Sequence, residues 1–298
     1  VLISWRYIIP ILKKYEKIFK KNGIYYETIQ ANQNIKENQL LRIIDRFDGI
    51  LCGDDEITKK VINKGKKLKV ISKWGTGTDS IDLEFAKKKK IKVYNSPGAF
   101  SESVAQLCWG LVLAISRRIF ETQKEIKKGY WPKLNGILLK DKYLGVIGLG
   151  NVGQRVIQFG RGFGMKVLGN DIKKISSKTL KKFKIKKVSK INLLKKADII
   201  ILCVDFNKTS YRLIDYKDFA KMKKNAIIIN VSRGPVINEK ALIRALTRKQ
   251  IYGAGLDVFE NEPIKLQNKL MKLDNCILSS HNAFNTNEEV EKVHNNTV

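Results

Sequence analysis

The chain has 298 residues, of which 43% are apolar and 9% aromatic, enough to bury the cores of two domains. Its formal net charge of +30 results from 58 Lys and Arg against 28 Asp and Glu. No apolar run approaches the roughly 18 residues that a membrane span needs, and the N-terminal residues form a short strand-like run unlike a signal peptide. We therefore expect a soluble, cytoplasmic protein.

The positive charge is spread along the whole chain. Short lysine clusters such as Lys87 to Lys90 occur in almost every segment, without an arginine-rich arm or an aromatic-interleaved stripe. A general bias toward Lys, Ile and Asn explains this pattern better than a polyanion footprint, so we do not expect specific nucleic-acid binding. Four widely spaced cysteines in apolar stretches, without a CxxC pair, predict reduced buried thiols and neither a disulfide framework nor a metal site. They are Cys52, Cys108, Cys203 and Cys276.

Residues 1–97 alternate short apolar runs with helix-length amphipathic segments, which indicates βα units and a mostly parallel sheet. The predicted strands are 1–3, 23–25, 49–52, 70–72 and 91–94. One long helix is then predicted from Ser101 to Ile119, with Arg117 and Arg118 in its last turn. This helix is the natural place for a change of domain.

A second βα series follows without a low-complexity linker. Strands are predicted at 143–147, 166–168, 197–202, 226–230, 251–257 and 276–278, with a helix at 152–163. The predicted fold class is α/β, with two Rossmann-like or flavodoxin-like parallel-sheet domains and an active-site cleft between them. The predicted domains are 1–97, 98–283, and a segment 284–298 that returns to the first domain. Because the chain starts without Met and stops soon after a helix predicted near Asn287, we expect a fragment with an incomplete last helix.

A GxGxxG pattern at residues 148–153 lies where a dinucleotide site needs it, between a predicted strand and a predicted helix. Gly148 permits the tight turn, Gly150 lets the backbone approach a pyrophosphate, and Gly153 lets the helix pack on the strand. Asn151 and Val152 open the helix, whose N-terminus faces the phosphate charge. The alternative, an ordinary glycine-rich turn, is disfavoured by this context.

Asp171 ends the next strand, 18 residues after Gly153 (171 − 153), close to the offset of about 20 residues expected of a ribose-binding acid. A carboxylate there accepts hydrogen bonds from the ribose 2′-OH and repels a 2′-phosphate. The predicted cofactor is therefore NAD rather than NADP, although Lys173 and Lys174 weaken this preference.

His281 is one of only two histidines, in a Ser-Ser-His-Asn-Ala-Phe segment that follows Arg233 and Glu262 in the chain. An imidazole with such neighbours suits a general acid/base. The residues alone leave open a plain turn residue.

Three later motifs complete the pattern. They are Asn230-Val231-Ser232-Arg233-Gly234-Pro235, the segment Gly255 to Pro263, and Ser280-His281-Asn282-Ala283-Phe284. Together with the fingerprint, the sequence resembles the D-isomer-specific 2-hydroxyacid dehydrogenases, in particular the D-3-phosphoglycerate dehydrogenase-like branch, over essentially the whole chain. Two upstream stretches agree: Lys73 to Asp82 resembles the family's substrate loop, and Ser96 to Gln106 resembles the entry to its interdomain helix, with Gln106 where Glu is usual.

The resemblance implies three catalytic residues. His281 would give a proton to the substrate carbonyl oxygen as hydride arrives from the nicotinamide. Glu262 would hydrogen-bond the other ring nitrogen, fixing the tautomer and favouring the imidazolium. Arg233 would hold the 2-oxo acid through its carboxylate and carbonyl oxygens. A planar guanidinium orients these oxygens better than a lysine does.

The resemblance also implies binding residues. Backbone N–H groups around Gly75, Thr76 and Gly77 would receive the substrate carboxylate, with Lys73 beside them. Asp257 would bind the nicotinamide end, although it could simply end a strand. Val231, Ser232, Cys203 and Val204 would line the cofactor bed, although Cys203 could equally be a core residue.

Some positions depart from the family pattern. Ser280 and Asp205 each stand where proline is frequent, and a buried or cofactor-facing Asp205 would need a partner such as a ribose hydroxyl. Asp54 and Asp55 occupy a loop in which phosphoglycerate enzymes tend to offer a basic residue, and two carboxylates would oppose a phosphorylated anion. We therefore expect a small 2-oxo or 2-hydroxy acid as substrate, with 3-phosphoglycerate as one candidate.

The leading hypothesis is an NAD-dependent D-2-hydroxyacid dehydrogenase. The alternative is a non-catalytic, NAD-sensing regulator or nucleic-acid-binding relative on the same fold, suggested by the charge of +30. Formate or phosphite oxidation is less favoured, because formate dehydrogenases have Gln where Glu262 stands. The segment from the long helix through Trp131 resembles the family's dimer-forming region and predicts a homodimer.

Overall fold

The computed structural model describes residues 1–29 and 34–298. The chain divides into two compact units: the first unit comprises residues 1–100 and 286–298, and the second unit comprises residues 101–285. Each is built on a parallel sheet with helices between successive strands, which confirms the predicted α/β fold class.

In the described part of the first unit, five strands form a parallel sheet in the order β2-β1-β3-β4-β5. The strands are β1 (Leu2–Ile3), β2 (Glu27–Thr28), β3 (Gly49–Cys52), β4 (Val70–Lys73) and β5 (Lys92–Tyr94). The helices are α1 (Glu16–Lys21), α2 (Glu37–Leu40), α3 (Lys59–Lys64) and α4 (Leu83–Lys88), with 3-10 helices at Ile9–Tyr15 and Ile44–Arg46. Loops that follow β1, β3 and β4 thus share one edge of the sheet.

The second strand lies later than predicted. Residues 23–25 instead close α1: the backbone N–H of Ile24 donates to the carbonyl oxygen of Phe19 at 2.9 Å, and Gly23 has a φ of +64°. A glycine in the left-handed region is a common way to end a helix. This use of the backbone moves the strand to Glu27–Thr28.

The second unit contains a seven-stranded parallel sheet in the order β12-β11-β10-β9-β6-β7-β8. Its strands are β6 (Tyr143–Ile147), β7 (Lys166–Asn170), β8 (Lys186–Lys187), β9 (Ile199–Leu202), β10 (Ile227–Asn230), β11 (Gly253–Leu256) and β12 (Cys276–Leu278). Its helices are α5 (Ser101–Ser116), α6 (Ile119–Ile126), α7 (Asn151–Gly162), α8 (Ser177–Lys182), α9 (Lys190–Lys196), α10 (Tyr216–Phe219) and α11 (Glu239–Thr247), with 3-10 helices at Gly234–Val236 and Lys269–Lys272. The strand order reverses between β6 and β9, where open α/β sheets place ligands.

The predicted single helix from 101 to 119 is two helices. Arg118 has a φ of +54°, which breaks the helical path between α5 and α6. Arg117 and Arg118 therefore lie in the break rather than in a last helical turn. Periodicity missed this because the apolar pattern continues through Ile119 and Phe120, which are about half exposed on α6.

Two apolar cores cover the two faces of the second sheet. Ile199, Ile201 and Ile229 pack with α5 and α7 on one face, while Ile200 and Ile228 pack on the other. This alternation explains the continuous apolar runs of β9 and β10, because a central parallel strand is buried on both faces.

The last helix, α12 (Asn287–Thr297), belongs to the first unit. The Ser72 hydroxyl on β4 donates to the carbonyl oxygen of Thr297 at 2.8 Å. Among residues 1–29 and 34–298, no individual helix has the length and apolar character of a membrane span, whereas α5 and α6 taken together, bent by 58°, do.

Candidate active site

The glycine turn after β6 is shaped by two close backbone approaches. Gly148 has a φ of +94°, and a Cβ on it would lie 2.3 Å from the carbonyl oxygen of Cys203. A Cβ on Gly153 would lie 2.0 Å from the carbonyl oxygen of Gly148. Both positions therefore require glycine for packing within the unit.

Gly150 differs from its two neighbours in the motif. It is the N-cap of the 12-residue helix α7, its φ is −72°, and a Cβ there would meet no described atom within 4 Å. Asn151 and Val152 form the first turn of α7. Open space at a helix N-terminus fits the close approach of a pyrophosphate, which the sequence predicts for Gly150.

Asp171 lies beside this turn, directly after β7. One carboxylate oxygen accepts the backbone N–H of Leu149 at 2.7 Å, and the other accepts that of Lys173 at 2.7 Å. The carboxylate is thereby fixed next to the glycine turn, where a ribose hydroxyl would reach its remaining lone pairs. Asp205, considered above as a buried carboxylate, has a side chain that is 86% exposed and lies 3.7 Å from the Lys173 ammonium.

Cys203 and Val204 follow β9. The backbone N–H of Cys203 donates to the carbonyl oxygen of Ile147 at 2.8 Å, and its partly buried side chain packs against the core of the second unit. Burial raises the pKa of this thiol to about 12, so the sulfur stays protonated. Val204 packs against the core on the other face of the sheet. Cys203 is therefore only partly buried, unlike the fully buried thiol predicted, because it lies just beyond the end of β9, and its carbonyl oxygen lies against the glycine turn. Its place in the cofactor bed stays a prediction.

Asn230 organises the turn that carries Arg233. Its side-chain oxygen accepts the hydroxyl of Ser232 at 2.6 Å and the backbone N–H of Ser232 at 3.1 Å. Its side-chain nitrogen donates to the carbonyl oxygen of Arg233 at 2.9 Å. Val231 packs on the core beneath. Asn230 itself is 1% exposed, so these bonds hold the turn in a dry environment where they are strong.

The turn with Arg233 lies against the segment that leads to Glu262. A Cβ on Gly234 would lie 1.9 Å from the carbonyl oxygen of Phe259, so only glycine allows the two segments to meet. The backbone N–H of Asp257 also donates to the carbonyl oxygen of Asn230 at 3.0 Å. These contacts bring the Arg233 and Glu262 segments to one edge of the sheet.

Asp257 supports the loop that carries His281. Its two carboxylate oxygens accept the backbone N–H groups of Asn282 at 2.9 Å and Ala283 at 3.0 Å. Asp257 is 1% exposed, and burial raises the pKa of its carboxyl group, against the opposing effect of these hydrogen bonds. The carboxylate is thus committed to the histidine loop. A contact with a nicotinamide, implied by the resemblance, remains a prediction.

Glu262 and His281 form the central pair. Glu262 Oε2 lies 2.6 Å from His281 Nδ1, and Oε1 accepts the backbone N–H of Phe259 at 2.9 Å. The two side chains are 34% and 32% exposed, so the pair is accessible to a small molecule. His281 has a φ of +54°, a strained conformation for a residue with a side chain, of the kind that concentrates at functional sites.

The predicted substrate loop follows β4 in the first unit. Gly75 has a φ of +98°. Its carbonyl oxygen accepts the backbone N–H of Ser96 at 2.9 Å, and the carbonyl oxygen of Thr76 accepts the side-chain amide of Asn95 at 2.7 Å. A trans peptide points its N–H opposite to its carbonyl oxygen, so the N–H groups of Thr76 and Gly77 point away from residues 95 and 96. This orientation suits the predicted capture of a carboxylate.

Lys73 is buried at the base of this loop, with 4% of its side chain exposed. Its ammonium donates to the carbonyl oxygen of Trp74 at 2.7 Å and lies 3.1 Å from the carboxylate of Asp54. The charge of Lys73 is therefore balanced by an ion pair within the first unit.

Asp55 lies in the interior rather than near a substrate. Its carboxylate accepts the hydroxyl of Ser4 at 2.6 Å and backbone N–H groups of Ile35 and Gly53. Burial raises its pKa. The ring of Trp5 covers Gly53, since a Cβ there would lie 1.7 Å from a ring carbon. Of the two carboxylates predicted to oppose a phosphorylated substrate, only Asp54 lies outside the interior, and its charge is compensated by Lys73.

The model of the D-isomer specific 2-hydroxyacid dehydrogenase NAD binding domain matches residues 109–283, more than half of the chain. The chain belongs to this family. The family assignment predicted from the motifs is thereby confirmed, and the matched region supports NAD as the cofactor of the glycine turn. The D-isomer-specific 2-hydroxyacid dehydrogenase NAD-binding domain includes β6 through His281.

Named relatives agree with this assignment. The D-3-phosphoglycerate dehydrogenase of Methanocaldococcus jannaschii is 42% identical over 286 residues, which are 95% of this chain and 53% of that protein. The hydroxypyruvate reductase of Thermotoga maritima is 37% identical over 268 residues, 88% of this chain and 86% of that protein. The structure of D-lactate dehydrogenase from Aquifex aeolicus, complexed with NAD and lactic acid, matches with a TM-score of 0.88, 28% identity and coverage of 99% and 92%. The chain thus spans about half the length of the first of these relatives.

Two residues at this candidate site were not assigned a role from the sequence. Asn230 orders the Arg233 turn, and Gly234 permits its contact with the Glu262 segment. An Asn at the end of a buried strand is a signal for a side-chain-ordered turn and could have identified the first. The second depends on a contact between segments 25 residues apart (259 − 234) and has no local signal.

Proposed function

We propose that this chain is an NAD-dependent D-2-hydroxyacid dehydrogenase that interconverts a small 2-oxo acid and the D-2-hydroxy acid. The observation that carries the proposal is the Glu262–His281 pair, 2.6 Å between Oε2 and Nδ1, in the same unit as an open glycine turn and a fixed acid at Asp171. The NAD-binding family match supports it.

His281 is the proposed proton donor. When bound, NADH supplies a hydride to the carbonyl carbon of the 2-oxo acid. The ring of His281 gives a proton from Nε2 to the carbonyl oxygen and takes it back in the reverse direction. Glu262 accepts from Nδ1, which fixes the tautomer and compensates the charge of the imidazolium. One hydride and one proton thus convert the carbonyl group of the 2-oxo acid to the hydroxyl group of the 2-hydroxy acid.

Arg233 is the proposed substrate-orienting cation. Its backbone is held by Asn230, and one guanidinium nitrogen donates to the carbonyl oxygen of Ser232 at 3.0 Å. A guanidinium offers five N–H donors in a fixed plane, which matches the carboxylate and carbonyl oxygens of a 2-oxo acid. In the first unit, the N–H groups of the Gly75-Thr76-Gly77 loop are proposed, from the family resemblance, to bind a substrate carboxylate.

A small unphosphorylated substrate is favoured over 3-phosphoglycerate. The buried ammonium of Lys73 is already compensated by Asp54, and Trp5 fills the space over Gly53. The resemblance predicts a cation that would bind a phosphate here, but in the first unit the charge of Lys73 is already paired with the carboxylate of Asp54. Because the sequence resembles phosphoglycerate dehydrogenases, a phosphorylated 2-oxo acid is included among the substrates to be tested.

A substrate panel tests the proposal. Purified protein is assayed for NADH and NADPH oxidation with glyoxylate, pyruvate, hydroxypyruvate and 3-phosphohydroxypyruvate. Turnover with at least one unphosphorylated acid, faster with NADH, is the expected result. Failure to oxidise NADH with every acid would contradict the proposed reaction, and a preference for the phosphorylated acid would contradict the proposed substrate class. DNA binding without turnover would instead favour the regulator alternative.

We also propose a homodimer formed through α6 and the segment after it. Large apolar side chains there are exposed: Phe120 is 55%, Tyr130 63% and Trp131 80% exposed. A group of this kind on a surface marks an interaction site. Sedimentation analysis should give a dimer for the wild type and a monomer for Trp131→Asp; a monomeric wild type would contradict this. The cytoplasmic location stays a prediction, which cell fractionation would test.

A further inference from the structure

Trp74 lies directly before the substrate loop and is 3% exposed. Its backbone N–H donates to the carbonyl oxygen of Cys52 at 2.8 Å, and its carbonyl oxygen accepts the ammonium of Lys73 at 2.7 Å. The ring packs among other rings, with centroid separations of 5.0 Å to Trp5, 5.3 Å to Phe100, 6.3 Å to Tyr7 and 5.5 Å to His294.

The side chain of Trp74 is hydrogen-bonded to the last helix of the first unit. The indole N–H donates to Nδ1 of His294 on α12 at 3.1 Å. His294 is 5% exposed. An indole N–H is only a donor, so Nδ1 must be unprotonated for this bond to exist. The structure therefore requires a neutral His294 with its proton on Nε2.

The Trp74 ring is coupled to the substrate loop through Phe100 as well as through the chain. A Cβ on Gly75 would lie 3.4 Å from a ring carbon of Phe100 and 3.8 Å from the Lys73 ammonium, so little space surrounds the left-handed turn at Gly75. In close-packed surroundings a shift of one ring displaces its neighbours. A displacement of the Trp74 ring would therefore be transmitted to the peptides that follow it.

We propose that neutral His294 is a positioning residue that holds Trp74, and through it the Gly75-Thr76-Gly77 loop, in the conformation that binds the substrate carboxylate, and that protonation of His294 releases this loop. The inference rests on the proposed function, because it gives the loop a substrate to bind. It assigns a role to the second of the two histidines, for which the motifs predict none.

The charges that face His294 agree with a neutral state. Burial lowers the pKa of His294 below its usual 6.5, Lys14 of the 3-10 helix Ile9–Tyr15 lowers it further, and Glu291 on α12 opposes both. Lys14 and Glu291 form an ion pair at 2.6 Å, and the Tyr15 hydroxyl donates to Asn295 at 2.8 Å. On the β4 side, the Lys73 ammonium is compensated by Asp54. His294 is thus neutral at pH 7 and gains its charge only below its usual pKa of 6.5.

Three variants separate the proposed role from a general structural role. His294→Asn places an amide oxygen near the position of Nδ1, so it keeps an acceptor that cannot be protonated. His294→Ala removes the acceptor, and Trp74→Phe keeps an aromatic ring but removes the donor. If His294→Ala fails to fold, the other two variants still carry the test.

Steady-state kinetics between pH 5.5 and 8 give the first measurement. At pH 7.5, His294→Ala and Trp74→Phe should raise KM for the 2-oxo acid about 5–10-fold with a smaller change in kcat, as expected for loss of one buried hydrogen bond. His294→Asn should stay within about 2-fold of the wild type. As the pH falls below 6.5, KM should rise in the wild type relative to His294→Asn. Because His281 is present in both proteins, its own titration cancels in this ratio.

The NMR signal of the Trp74 indole N–H gives a measurement that does not depend on turnover. Trp74→Phe assigns the signal, which should shift with a midpoint below pH 6.5 in the wild type and stay constant in His294→Asn. An active wild type whose KM is indifferent to His294→Ala, or a His294→Asn variant with the pH dependence of the wild type, would overturn the inference alone. A wild type inactive with every 2-oxo acid would overturn the proposed function and the role of the loop together.

Discussion

The backbone N–H of His281 donates to the carbonyl oxygen of Asp257 at 2.7 Å, while the Asp257 carboxylate receives the N–H groups of the two residues that follow His281. Asp257 thus holds three consecutive peptide groups of the histidine loop. The left-handed conformation of His281 is maintained by these bonds, because the surrounding structure must compensate a strained backbone.

Asp257→Asn should therefore destabilise the second unit. An amide can accept through one oxygen only, so either Asn282 or Ala283 would face an NH₂ group in a buried site. The expected loss is about 1–3 kcal/mol in the free energy of unfolding, measured by urea denaturation. Turnover should fall as well, since the loop positions His281. A variant with the stability and turnover of the wild type would show that the histidine loop keeps its conformation without the Asp257 carboxylate.

His281→Ala should lower kcat about 10²–10⁴-fold, the usual contribution of a general acid/base. NADH binding, measured by fluorescence titration, should change little, because the glycine turn and Asp171 lie on other strands of the sheet. Unchanged turnover would remove the assigned role of His281.

Glu262→Gln should lower kcat/KM about 10–100-fold, because it replaces a charged acceptor of the His281 hydrogen bond with a neutral one. A hydrogen bond to a charged group contributes about 1.5–3 kcal/mol. Glu260→Gln is the matched control. Glu260 accepts the backbone N–H of Glu239 at 3.1 Å, a bond that a glutamine oxygen retains. Equal losses in both variants would mean that the effect of Glu262 is not specific to the pair with His281.

Substitutions at two glycines of the GxGxxG turn should affect different properties, NADH binding in one case and stability in the other. Gly150→Ala adds a methyl group that no described atom obstructs within 4 Å, so stability should fall by no more than about 1 kcal/mol, the difference between Gly and Ala at an N-cap, while Kd for NADH rises about tenfold or more. Gly153→Ala places its methyl group 2.0 Å from the Gly148 carbonyl oxygen and should lower stability by about 1–3 kcal/mol. Calorimetry and NADH titration check both. An unaffected NADH affinity in Gly150→Ala would argue against a pyrophosphate at this turn.

The stability of the protein should depend on pH through His294. Its folded pKa is lowered, so between that pKa and 6.5 the unfolded chain binds more protons than the folded chain. The stabilisation is complete above about pH 6.5 and is lost as the pH falls through this window. The wild type should therefore lose stability relative to His294→Asn between pH 7.5 and 5.5 in urea denaturation. Parallel curves would mean that the pKa of His294 is not changed by folding.

Local patterns were sufficient where a structural feature depends on consecutive residues. The GxGxxG turn could be predicted because strand, glycines and helix are adjacent in the chain, and the parallel sheets because βα repeats admit few arrangements. Boundaries were less predictable. The strand expected at 23–25 lies at Glu27–Thr28, because residues 23–24 end α1, and the helix expected to reach Ile119 breaks at Arg118. Apolar periodicity does not reveal left-handed residues.

Sequence alone determined the family and the fold class and predicted the residues of the candidate site, since these follow from motifs that are each read within a few residues. Only the tertiary structure showed that Asp257 anchors the histidine loop, that Asp55 is a buried structural carboxylate, and that Lys73 is compensated by Asp54. It also paired His294 with Trp74, 220 residues apart in the chain. Hydrogen bonds and burial depend on which strand ends and helices meet in space, and the spacing of residues along the chain does not specify that.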